Sequence, residues 1–238
     1  MVLKLLKTKK IIIILIVLLA FVARIGNVIM HPIPVRDSYI YQKIINDWGE
    51  NSEYSSNIPP LGLYMMTLPR KLFGLDTIKS GVSVNMLLGI CSVLMITAIA
   101  HRIVNSFIIE VGVGVIAATH PTLVHYSCHV LRDNTYIMCL LLLVIEIVEY
   151  INKERIRDMV LSGMISAFAL ASRYEGFEAI IIVCLIVLMK KSRKQKRLRD
   201  LIIYVSTVIV TINILFMLIG VTLNERFIIE KIKEMTII

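Results

Sequence analysis

The sequence predicts an all-α, polytopic transmembrane bundle, with three observations behind that class. Of 238 residues, 57% are hydrophobic and only 18% are charged, against roughly 45–50% and 25% in an average soluble domain. The apolar residues lie in long runs of membrane-crossing length, and aromatics are only 7% of the chain. Basic residues crowd the ends of those runs, as the positive-inside rule requires. The formal charge of +9 and mean hydropathy of +0.80 therefore describe a membrane protein, and nucleic acid is not an expected partner.

The first span follows Lys4, Lys7, Lys9 and Lys10, a positive flank expected to stay in the cytoplasm. The apolar run starts at Ile11 and resumes after Arg24 to Met30. No small-x-small cleavage site precedes His31, so an uncleaved span is expected rather than a signal peptide. Residues 31–80 form an outer first loop with two interfacial helices. In residues 37–48, Ile40, Ile44, Ile45 and Trp48 share a helical face. Residues 61–73, after Pro59-Pro60, make the second, with Pro69 kinking it.

Further apolar runs at 81–100, 107–126, 135–151, 159–173, 177–189 and 201–223 bring the expected count to about seven spans. Alternation places 101–106, 152–158 and 190–200 inside, where Lys153, Arg155, Arg157 and the run Lys190–Arg199 collect. That basic run is a topology determinant that also meets anionic lipid. The runs 159–173 and 177–189 are shorter than the roughly 17 residues a span needs, and either thin the bilayer or form a re-entrant pair. The tail 224–238, with Phe227, Ile228, Ile232 and Met235 near one face, reads as an interfacial helix cut short. One domain spanning residues 1–238 is expected. Cys91, Cys128, Cys139 and Cys184 have no CxxC spacing and read as packing residues.

Ionisable residues not explained as cytoplasmic flanks gather at the outer ends: Arg36 and Asp37, Arg132 and Asp133, Arg173 and Glu175. A carboxylate there can take a proton from an acceptor hydroxyl or hold a divalent cation, and arginine suits phosphate through two parallel hydrogen bonds. Snorkelling anchors are the competing reading. His125, His129 and Asp133 fall at i, i+4 and i+8. They line one face if the helix continues, as metal ligands or as boundary imidazoles that hydrogen-bond neighbouring spans. Arg24, deep in the first run, faces a polar cavity or snorkels toward His31. Glu110, Glu146 and Glu149 read as solvated flank charges, and Gly112-Val-Gly-Val-Ile-Ala117 as close helix packing rather than a dinucleotide fingerprint.

The motifs Val-Arg-Asp-Ser-Tyr-Ile-Tyr (35–41), Ile-Pro-Pro-Leu (58–61), Lys-Leu-Phe-Gly (71–74), His-Pro-Thr-Leu-Val-His-Tyr-Ser (120–127), Val-Leu-Arg-Asp-Asn-Thr-Tyr (130–136) and Ala-Ser-Arg-Tyr-Glu-Gly (171–176) occur in that order. The set resembles the N-terminal half of the multi-spanning GT-C glycosyltransferases. That group contains the protein O-mannosyltransferases, the lipid A aminoarabinose transferase and the Rgt-type lipopolysaccharide glycosyltransferases. The resemblance covers most of residues 20–190. It implies sugar transfer from a polyprenyl-phosphate donor to a lipid, glycan or protein acceptor on the outer face of the inner membrane, with inversion. It implies Asp37 and Asp133 as catalytic carboxylates, and Arg36, Arg132, Arg173 and Glu175 as substrate and phosphate contacts. Whether a divalent cation takes part stays open, with His125 and His129 as metal candidates. The chain departs from the group in carrying Asn57-Ile58-Pro59-Pro60 where some relatives place a lysine, and in having fewer spans. A transporter subunit and a non-catalytic membrane partner or fragment remain the alternatives.

Overall fold

The computed structural model describes residues 2–30, 35–51, 56–104, 106–190 and 194–219. All regular secondary structure among them is helical: α1 (Val2–Met30), α2 (Arg36–Asn51), α3 (Pro60–Phe73), α4 (Thr77–Val104), α5 (Phe107–Thr119), α6 (Pro121–Ser127), α7 (Asp133–Lys153), α8 (Ile156–Ser172), α9 (Gly176–Met189) and α10 (Lys194–Ile219). Helices stand at each of the expected apolar runs, but the count of about seven spans is not confirmed. Among the described residues four are long and apolar enough to cross a membrane: the Lys9–Met30 part of α1, α4, α7 and α10. The bent pair α5 and α6 makes a fifth if it counts as one span. At 1.5 Å per residue, the 17 residues of α8 and 14 of α9 reach only about 26 and 21 Å, short of a roughly 30 Å hydrocarbon core. The expected tail helix at 224–238 lies outside the described residues.

Small and polar side chains on one face of α4 let other helices approach. Gly81, Asn85, Gly89 and Ser92 are all buried, a small-residue stripe of the kind that brings backbones together in membranes. A Cβ on Gly81 would meet Val130 at 2.9 Å, and one on Gly89 would stand 2.8 Å from the Arg24 Nε. Gly163 of α8 plays the same part toward α10, where a Cβ would come within 2.9 Å of the Tyr204 carbonyl oxygen. Tyr204, fully buried, donates its phenol to Ser166 Oγ at 2.8 Å. Leu143, Ile147, Met159, Val183 and Val187 complete the core of α7 to α10.

Arg24 faces the protein interior. It is fully buried and donates to the carbonyls of Ala20 at 3.0 Å, Gly89 at 3.1 Å and Ala118 at 3.3 Å. The sequence shows why Ala118 needs a donor. Pro121 stops α5, the helix axis turns by 52°, and the last carbonyls of α5 lose their intrahelical partners. A guanidinium at that C-terminus satisfies one of them and meets the negative end of the helix dipole. Cys128 Sγ donates back to the Arg24 carbonyl at 3.2 Å, so α1 and the segment after α6 are joined. Gly114, beside Ile16 and Thr97, is a packing glycine as its sequence context implied, whereas Gly112 of the same motif has nothing within 4 Å of an added Cβ.

α2 and α3 cap one end of the bundle. The buried face of α2 is Ser38, Tyr41, Ile45 and Trp48, packed on Leu63, Met66, Val130 and Leu131. Of the apolar face expected for this interfacial helix, Ile45 and Trp48 are buried, Ile44 packs against the same cluster and Ile40 is 49% exposed. Packing against α3 and the 128–132 segment also turns the aromatic Tyr41 in. α3 begins with Pro60 at its first turn, where a missing N–H costs nothing. It continues through Pro69 because Ser80 of α4 inserts into the ladder: its hydroxyl donates to the Met66 carbonyl and accepts the Arg70 N–H at 3.0 Å. Gly74, at φ 67°, closes α3 with a left-handed cap.

Candidate active site

The site forms where α2, α3, α7 and the α8–α9 turn meet. Between α6 and α7, residues 128–132 leave the helix and carry Arg132 to the N-cap of α7. Asn85 holds this segment: its side-chain amide donates to the His129 carbonyl at 2.6 Å and to the Leu131 carbonyl at 2.8 Å. Asn134 donates to the Asn85 carbonyl at 3.2 Å. Gly62 lets α3 close on the same point, since a Cβ there would stand 2.9 Å from the Arg132 Cβ. The Arg132 guanidinium lies 5.8 Å from the centroid of the Tyr41 ring. Its Nε and Nη1 are buried without a hydrogen-bond partner. A buried donor left unpaired costs about 1–3 kcal/mol, and more on a charged group. Asp37 is exposed on the first turn of α2, one turn before Tyr41.

Arg173 organises the second half. Its Nη1 donates to Asp133 Oδ1, and its Nε and Nη2 make a fork on the Glu175 carboxylate at 3.2 and 2.6 Å. The Tyr136 ring lies 5.8 Å away. The turn is tight, with the Gly176 N–H donating to the Arg173 carbonyl at 2.9 Å. The Tyr174 phenol donates to the Asn57 carbonyl, tying the first-loop segment before Pro59-Pro60 to this turn.

Electrostatics follow from these contacts. The fork from Arg173 holds the Glu175 carboxyl down at about 2, while Glu175, then Asp133, push the Arg173 guanidinium above its ordinary value. Burial raises the Tyr41 phenol against the opposing pull of Arg132, with Asp37 and Asp133 adding to the rise, so Tyr41 is a neutral hydroxyl. Because folding depresses the Glu175 value, this pair stabilises the protein fully above the ordinary carboxylate range, and the contribution is lost as pH falls from about 4.5 toward about 2. The thermal midpoint of the wild type is expected to fall more steeply over that window than that of Glu175→Gln. Parallel melting curves would contradict the pairing.

Asp133, Arg173 and Glu175 are thus in direct contact, with Arg132 next to Asp133 and beside the Tyr41 ring, and Asp37 one turn before Tyr41 on α2. Arg36 is exposed beside Asp37, outside the hydrogen bonds and ion pairs of this network. The row His125, His129, Asp133 does not run along one helix, because α6 ends at Ser127. The two imidazole rings still meet, centroids 4.6 Å apart, but Asp133 is turned to Arg173. Among the described residues no three His, Cys, Asp or Glu side chains converge as metal ligands. Sequence reading did not single out Asn85, Tyr136 or Gly62. A lone asparagine in an apolar run was the one available signal, since an amide in lipid demands a partner.

The family described as dolichyl-phosphate-mannose-protein mannosyltransferase matches residues 57–219. The match takes in Arg132, Asp133, Arg173 and Glu175, and leaves Asp37 outside it. No curated protein and no solved structure matches the chain.

Proposed function

Because the chain belongs to the dolichyl-phosphate-mannose-protein mannosyltransferase family, and with it to the GT-C membrane glycosyltransferases, we propose that it moves a sugar from a polyprenyl-phosphate donor to a lipid, glycan or protein acceptor. Transfer takes place on the outer face of the cell membrane, with the N-terminus in the cytoplasm and the basic loops of the opposite end inside.

In this reading Asp37 accepts the proton of an acceptor hydroxyl, whose oxygen attacks the anomeric carbon in line and inverts it. The bond from that carbon to the phosphate oxygen breaks, and the polyprenyl phosphate leaves with its charge increased. Arg132 and Arg173 stand where that charge grows. Asp133 and Glu175 fix the Arg173 guanidinium, and Arg36 at the exposed rim meets the incoming phosphate. The observation that carries the reading is the Arg132 side chain, whose buried Nε and Nη1 lack a hydrogen-bond partner and are donors that an anionic oxygen would satisfy.

The test replaces Arg132 by Gln and by Lys in the full chain and measures initial rates with polyprenyl-phosphate sugars at equal membrane abundance. Arg132→Gln is expected to lower kcat about 100-fold, the scale of losing a donor aimed at developing charge. Arg132→Lys should recover only part of it, because a point charge replaces a two-toothed fork. Unchanged rates in Arg132→Gln would sink the assignment.

A further inference from the structure

The opposite end of the bundle holds a second polar site. α7 runs from Asp133 to Lys153, so the α7–α8 loop lies about 30 Å along the helix axis from the candidate active site. There a cavity of about 790 Å³ is lined by Glu154, Arg155, Ile156, Gln195, Lys196 and Arg199. We propose that this cavity binds the phosphate-bearing headgroup of an anionic phospholipid.

Three cations and one carboxylate line the cavity, and the carboxylate is already answered. Glu154 pairs with Lys196 and, at 3.2 Å, with Lys190, and these two lysines hold its carboxyl below the ordinary range. Lys190 also donates to the carbonyls of Tyr150 and Ile151, both at 3.0 Å, closing the end of α7. The two arginines are fixed by buried acids behind them. Arg155 gives its Nε and Nη2 to Asp158, both at 3.0 Å. Arg199 gives its Nε and Nη2 to Asp200, which also accepts the Tyr150 phenol at 2.8 Å. In both arginines Nη1 stands outside these pairs. Rigid guanidinium groups with an edge to spare are what a phosphate needs, because the ordering of the side chains is already done when the anion arrives.

The apolar surroundings say which phosphate. Ile156 forms part of the cavity wall and is 46% exposed, and Leu198 and Ile202, four residues apart on α10, are 56% and 59% exposed. A soluble phosphate has no use for that track. A phospholipid lays its acyl chains along it while its headgroup sits between α7, α8 and α10, at the level where basic side chains meet anionic lipid.

The test adds a negative charge to the wall without removing any ion pair. The full chain, purified in detergent micelles, is titrated with phosphatidylglycerol or phosphatidylcholine, and retained lipid is counted by native mass spectrometry. Wild type should retain phosphatidylglycerol in preference to phosphatidylcholine. Gln195→Glu should weaken that retention about fivefold, the effect of one charge beside an anionic headgroup. Lys79→Gln makes the same change in net charge in an exposed pair with Asp76, at the start of α4 and outside the cavity lining. It should stay within about twofold of wild type. Equal retention of the two lipids, or equal losses in the two variants, would overturn the site. Displacement of the lipid by an equimolar amount of glycerol 3-phosphate would overturn its assignment to a phospholipid.

Discussion

Asp37→Asn is expected to lower sugar-transfer turnover by roughly 10²- to 10⁴-fold, the range of a lost general base, with the protein still folded. The amide has the shape of the carboxylate but cannot take the acceptor proton. Asp37 is exposed at the first turn of α2, so its replacement creates no cavity and buries no unpaired group. The structural cost is confined to the favourable meeting of a carboxylate with a helix N-terminus, about 0.3–1 kcal/mol. Donor binding, which the proposed function assigns to Arg132 and Arg173, should be little changed, so the loss falls on kcat rather than on KM for the polyprenyl-phosphate sugar. Initial rates in membranes of equal abundance check this, beside a melting curve that should move by only a few degrees. Full turnover in the variant would remove Asp37 from the chemistry and leave the proton acceptor to be found elsewhere at the site.

What the sequence carried well was periodic or rule-bound. Apolar runs with basic ends announced the helices, and three of the paired charges, Asp133, Arg173 and Glu175, are in hydrogen-bond contact in the structure. What it carried poorly depended on partners far along the chain. Nothing near Pro69 says that Ser80 will bridge the Met66 carbonyl and the Arg70 N–H and keep α3 helical. Nor does anything near Ile40 say that Tyr41 will turn inward, because that is decided by Leu63, Val130 and Leu131 across the interface. Arg24 was recognisable as costly in lipid, yet its partner, the freed carbonyl of Ala118, is 94 residues away. The span count of about seven is not confirmed for a different reason. Hydropathy finds apolar runs, but α8 and α9 are as short as their runs in the sequence, and α9 lays one face, Ala179, Val183 and Val187, on the core of α7, α8 and α10.

The turn that carries Arg173 offers the largest structural effect. A Cβ on Gly176 would lie 2.4 Å from the Leu170 nitrogen, 2.5 Å from the Ala169 carbonyl carbon and 2.6 Å from the Leu170 Cα. These are backbone atoms of α8, and no rotamer change moves them aside. The left-handed region is not involved, since among the described residues Gly74 is the one glycine with positive φ. Space, not conformational freedom, is what excludes a side chain at Gly176. Gly176→Ala must therefore open the turn between α8 and α9, at about 1–3 kcal/mol or more of stability. Because the Gly176 N–H holds the Arg173 carbonyl at 2.9 Å, opening it also draws the guanidinium away from Asp133 and from its fork on Glu175. A misplacement of about 1 Å at a charged positioning group costs on the order of 100-fold in rate, so turnover should fall further than the loss of folded protein accounts for. Gly112→Ala is the matched control: Gly112 lies in α5 with nothing within 4 Å of its added Cβ, and alanine is the better helix former there. Melting and transfer rates measured on both variants separate the two effects. If Gly176→Ala melts and turns over like Gly112→Ala, the close contact of the α8–α9 turn is not what positions Arg173.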